Sequence, residues 1–149
     1  MFKKFIMAAA LAVAVTFTAQ ADSIVGKTAL ASTLLIQTNS ITSAATSNYT
    51  ATASLEGCAG YGVVQVGFGL VGAGTGDVVA NFAYSVDGVN FETTPSLSVT
   101  NSGNGAAMVY GVTSFTPKIA KAIRLVSITN GGGANATNVS VTIGILAHQ

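Results

Sequence analysis

The chain has 149 residues, and 7% of them are charged, six Lys or Arg against five Asp or Glu; soluble domains average about 25%. Half the residues are hydrophobic, 17 are Gly, and only 2 are Pro. This composition excludes a disordered chain, which needs low hydrophobicity and high charge. It excludes a coiled coil, and it leaves no basic stripe with which to neutralise nucleic-acid phosphates.

The N-terminus reads as an export signal. Met1-Phe2-Lys3-Lys4 is basic, Phe5 to Phe17 is an apolar run, and Ala19-Gln20-Ala21 is a small-x-small cleavage pattern. A signal helix over residues 1–21 is expected, with cleavage between Ala21 and Asp22. The run falls short of the roughly 20 apolar residues a membrane span needs, so no span is expected after cleavage. Removal of residues 1–21 would leave 128 residues with four basic and five acidic side chains. That length suits a single domain over residues 22–149.

From there the chain alternates apolar and polar residues with period two, broken by turn residues. The pattern predicts strands at Ala29–Thr38, Tyr49–Leu55 and Tyr61–Val71. In the third, Val64, Val66, Phe68 and Leu70 share a face, with Gly67 and Gly69 opposite. Their missing side chains imply a bulge or a close backbone approach. Gly72 to Asp77 reads as a turn; no Lys-Ser/Thr follows, so it is not a phosphate-binding loop. Val78–Val86 is the clearest strand, with Val78, Ala80, Phe82, Tyr84 and Val86 on one face. Asp87-Gly88 signals a hairpin, with Val89–Phe91 returning.

Further strands are predicted around Leu97 and Val99, at Ala106–Thr113, at Ile123–Thr129 and at Val139–Ile145. Asn101 to Gly105 and Asn130 to Gly133 read as turns between them. No amphipathic helix of ten or more residues is evident in residues 22–149. The expected fold is all-β: an antiparallel β-sandwich, jelly-roll-like, of about eight strands.

Catalytic and metal arithmetic is poor. The lone histidine, His148, sits one residue from the end, where a general base would lack support. Zinc needs three or four ligands. Asp77 and Asp87 have turn explanations, although carboxylate and carbonyl oxygens beside either could serve calcium. No enzyme activity, metal or cofactor is expected. Cys58 is the single cysteine and cannot close an internal disulfide; it is either a small buried hydrophobe or a candidate for an intermolecular bridge.

Tyr49, Tyr61 and Tyr110 are candidate ligand-binding residues, whose rings could stack on sugars or simply cap the core rim. Lys118, Lys121 and Arg124 form the one basic cluster in the presumed domain, a candidate anion site.

The segment Asn81-Phe82-Ala83-Tyr84-Ser85-Val86-Asp87-Gly88-Val89-Asn90-Phe91, the strand Lys121-Ala122-Ile123-Arg124-Leu125-Val126 and the final Val-x-Val-x-Ile strand together resemble β-sandwich or jelly-roll structural modules of phage virions. The same segments resemble, more weakly, discoidin-like binding modules, whose early Trp-rich stretch has no counterpart in a chain without Trp. The first resemblance implies a structural role, the second a carbohydrate or lipid ligand.

The low charge points the same way as the first. Few charges remain to guard strand edges against pairing. The expectation is therefore an exported, non-catalytic subunit of a virion-like particle or cell surface that self-associates or binds other assembly subunits. The alternative is a carbohydrate-binding or adhesion module taking a glycan. Either would be secreted, in the periplasm, at the cell surface or in a virion.

Overall fold

A computed structural model describes residues 28–116 and 119–148. The expected signal helix, the Ala21–Asp22 cleavage point and Lys118 lie outside the described residues. The described chain forms β1 (Thr28–Ile41), β2 (Thr46–Asn48), β3 (Thr52–Ser54), β4 (Cys58–Leu70), β5 (Thr75–Ser85), β6 (Leu97–Asn104), β7 (Val109–Phe115), β8 (Ala122–Asn130) and β9 (Ala136–His148).

The strands make two antiparallel sheets. Sheet A runs in the order β1-β9-β4-β7, and sheet B runs β2-β8-β5-β6, with β3 also pairing β8. Consecutive strands therefore change sheet at every connection except β2 to β3 and β5 to β6. The arrangement is sandwich-like, because inward residues of both sheets form one core. Val64, Val66, Phe68 and Leu70 of β4 and Val139, Val141 and Ile143 of β9 meet Val78, Ala80, Phe82, Ile123, Leu125 and Ile128 of sheet B. Period-two alternation of β-branched residues places every second side chain there. Burying a Val, Ile or Phe side chain contributes about 1.5–3 kcal/mol.

Of the four register shifts in the ladders, two bear on the predicted elements. In β8 the register against β5 slips between Asn81 and Phe82, which leaves Val126 as an extra residue. Opposite that bulge the expected Tyr49–Leu55 strand shrinks to β3, Thr52–Ser54, and a separate short strand, β2, pairs with β8 just ahead of it at Thr46–Asn48. Tyr49 N–H donates to Val126 O at 2.8 Å, and Leu125 N–H to Ala51 O at 2.9 Å, so the break is bridged rather than open. On β4 the register slips between Gly67 and Gly69.

The corner between the sheets is held by Asn130, which is fully buried. Its Nδ2 shares its two hydrogens among Ile41 O, Thr42 O and Ala134 O at 3.1, 3.2 and 2.9 Å, and its Oδ1 accepts from Gly132 N–H at 3.0 Å. One side chain thus satisfies the backbone where β1 leaves sheet A and where β8 turns into β9.

Four expectations need correction. The Gly72–Asp77 turn is shorter than expected, because Thr75, Gly76 and Asp77 already pair with Asn104, Gly103 and Ser102 as the start of β5. Val89–Phe91 is not a return strand. The Asp87 carboxylate accepts the Val89 and Asn90 N–H groups, turning those donors into the loop and away from a ladder. The return to β5 is made by Glu92 N–H to Tyr84 O and Ser96 N–H to Phe82 O. Asn101–Gly105 is not a turn, because β6 continues to Asn104, opposite Thr75. Cross-strand partners there override the weak strand preference of Asn and Gly. Val86 does not join the buried face of β5; it lies beyond the strand end and is exposed.

Candidate functional site

None of the four strands of sheet A contains Asp, Glu, Lys or Arg. Its outward face is built by register. One row across the sheet is Leu34, Thr142, Gln65 and Val112. The neighbouring rows are Ser32, Gly144, Val63 and Ser114, and Gln37, Ser140, Gly67 and Tyr110. Leu34, Tyr110, Val112 and, at the end of the face, Tyr61 are each more than half exposed.

Glycines keep this face low. A Cβ on Gly67 would meet the Tyr110 ring at 2.7 Å and Ser140 Oγ at 2.8 Å. The Tyr110 ring therefore lies across its cross-strand partner, shielding backbone that a side chain would otherwise cover. Towards Tyr61, a shallow hollow of about 190 Å³ is lined by Gly62, Val63, Ser114, Gly144 and Leu146.

The structure splits the three candidate tyrosines. Tyr61 and Tyr110 stand on the outer face of sheet A, whereas Tyr49 sits in the β2–β3 break on sheet B, half-buried against the core. Leu34 and Val112 complete the apolar part of the face. Their alternation signalled a two-faced strand, but only the pairing shows that they share a row.

The outer face of sheet B is polar and internally bonded. Asn81 Nδ2 donates to Ser127 Oγ at 3.1 Å, and Ser98 Oγ donates to Asn81 Oδ1 at 2.6 Å. Thr46 and Thr129 hydroxyls share a 2.9 Å bond. Arg124 projects from this face, its guanidinium 4.4 Å from the centre of the Phe91 ring. That stacking attaches the 86–96 loop to the sheet. The basic cluster is thereby divided: Arg124 faces Phe91, and Lys121 lines a groove at one end of the sheets.

That groove, about 600 Å³, is also lined by Leu55, Glu56, Cys58, Val86 and Ile119. Cys58 is a half-buried free thiol whose Sγ–H donates to Tyr61 O at 3.4 Å.

Asp87 is committed to its own loop. Its Oδ1 accepts from Ser85 Oγ, Val89 N–H and Asn90 N–H at 2.7–2.8 Å, and its Oδ2 from Asn90 Nδ2 at 2.7 Å. These donors, the Asn90 and Val89 backbone first, hold the carboxyl far below the usual Asp range. Burial, with Glu92 nearby as a lesser cause, pushes the Tyr84 phenol up to about 12. Among the described residues no three His, Cys, Asp or Glu come together as a metal-binding group.

Comparison with protein-family models and with curated proteins finds no match for this chain.

Proposed function

We propose that the chain is an exported, non-catalytic structural subunit that assembles into a virion-like particle or a cell-surface layer. The observation that carries this reading is a four-stranded sheet with no Asp, Glu, Lys or Arg in any of its strands. Surfaces of solitary soluble domains carry charge of both signs, which keeps molecules apart and guards sheet edges. The edge strands β1, β6 and β7 contain neither charge nor Pro.

The strand orders support the same reading. With β2 and β3 taken as one position on β8, the sheets read β1-β9-β4-β7 and β2-β8-β5-β6. This is the order of an eight-stranded double-sheet jelly roll, an architecture used by viral capsid and lectin domains alike. Fold alone does not choose between them.

Electron microscopy of the purified protein tests the reading, with the N-terminus established by mass spectrometry. Ordered particles or filaments of a chain beginning at Asp22 are expected. Monodisperse single molecules at high concentration count against it.

The exposed Tyr61 and Tyr110 rings favour one second reading, a glycan-binding or adhesion module. Binding on a glycan array that is lost in both Tyr61→Ala and Tyr110→Ala would select it.

A further inference from the structure

We propose that the outer face of sheet A is the surface on which a second copy of this chain stacks, face to face about a two-fold axis. The inference rests on the assembly reading above and specifies which surface carries it.

Size is the first argument. Strands about 4.8 Å apart, rising about 3.3 Å per residue, give this face a flat area of roughly 700 Å², allowing for the shorter β7. Stable interfaces bury about 600–1,000 Å² per partner. The face is therefore large enough to hold a dimer without help from the loops.

Charge is the second argument. A two-fold axis brings each patch against its own copy, so any charge near the axis meets a like charge. A face centred on Leu34, Thr142, Gln65, Val112, Ser32 and Val63 escapes that repulsion, since none of these side chains carries a charge. It is self-complementary in charge, and it offers a charged partner nothing to pair with. Sheet B differs, since Asp77 lies on β5 and Arg124 on β8.

Shape is the third. Packed sheets approach to about 10 Å only when side chains interdigitate. Gly144 and the Ser and Thr positions keep the face low and the Tyr110 ring lies flat over Gly67, while Leu34, Val112 and Tyr61 are the large exposed side chains that project. The hollow beside Tyr61 is open to receive a projecting side chain from the second copy.

Sedimentation equilibrium of the full chain as recovered after expression, its N-terminus read by mass spectrometry, provides the test. Val112→Lys and Leu34→Lys each place a charge on the face, doubled by the two-fold. Each is expected to weaken self-association at least about tenfold, because a buried unpaired charge is costly. Thr100→Lys, on the exposed face of sheet B, is expected to leave association unchanged. Thermal melts followed by circular dichroism establish that each variant is folded; Val112→Ser replaces Val112→Lys if the latter is not.

If folded Val112→Lys and Leu34→Lys associate like the native chain, the face is not the interface, although the assembly reading stands. A native chain that stays monomeric at high micromolar concentration overturns both. So does a monomer that uses this face to bind phosphatidylcholine vesicles or a glycan.

Discussion

The Tyr110 ring lies over Gly67 from the adjacent strand, so close that a methyl group on Gly67 would sit 2.7 Å from two ring carbons. A residue without a side chain and a residue with a large one here act as a unit. The ring covers exposed backbone, and the glycine lets it lie flat on the proposed stacking face.

Gly67→Ala is accordingly expected to lift the Tyr110 ring and to destabilise the fold by about 1–2 kcal/mol through overpacking. In a Tyr110→Ala background the same substitution should cost less than half as much, the remainder reflecting Ser140 Oγ at 2.8 Å. Denaturant unfolding of the four proteins of this double-mutant cycle measures the coupling. Additive effects would show that the ring and the glycine are independent.

Asn130→Ala should be among the most damaging polar substitutions. It strips the partner from three backbone carbonyls and from Gly132 N–H at a fully buried corner. Leaving such groups unsatisfied is expected to cost about 3 kcal/mol, and to lower Tm by roughly 10 °C in a domain of this size. A melting temperature within about 2 °C of the native value would contradict the role assigned to this side chain.

The Asp87 loop should resist acid. Its folded-state pKa lies below the unfolded value, so its contribution to stability is fully present above the ordinary Asp range. That contribution declines as pH falls below about 3.8, where the unfolded chain takes up the proton first, and is gone once the folded group protonates. The amide resonances of Val89 and Asn90 should therefore stay unchanged through pH 3.8 and move only in stronger acid. In Asp87→Ala the loop amides should already differ from native at neutral pH.

Tyr84 behaves in the opposite sense at high pH. Burial raises its pKa from 10.0 to about 12, with Glu92 adding to the shift. The neutral phenol is favoured in the folded state, so this contribution is complete below pH 10 and is lost as pH rises towards 12. Absorbance titration should show a tyrosine ionising near pH 12, and Tyr84→Phe should remove that step.

A cation–π contact at an exposed site contributes about 0.5–1 kcal/mol. Phe91→Ala should reduce stability by that order and speed amide exchange in residues 86–96, while leaving β5 and β8 protected. Exchange that quickens equally across both strands would show that Phe91 supports more than its own loop.

Much of the fold was legible in alternation. Val64, Val66, Phe68 and Leu70 announce a buried face in β4, and Val139, Val141 and Ile143 announce another in β9. The missed elements have a common cause. Asn101–Asn104 joins β6 because β5 begins early enough to pair with it, and Tyr49 leaves its strand because β8 carries an extra residue opposite. A partner strand decides both, and no local pattern encodes the partner. Asn130 looks like an ordinary turn residue until the end of β1 arrives beside it.

The candidate site divides in the same way. By itself, the sequence determined that the chain is poor in charge and that its strands have two faces, and it offered Tyr49, Tyr61 and Tyr110 as candidates for binding. Only the tertiary structure decided that β1, β9, β4 and β7 lie side by side, which collects four uncharged strands into one sheet and leaves Asp77 and Arg124 on the other. Period-two alternation specifies that a strand has an inside and an outside. Which outward residues share a surface follows from the hydrogen-bonded register between segments far apart in the chain.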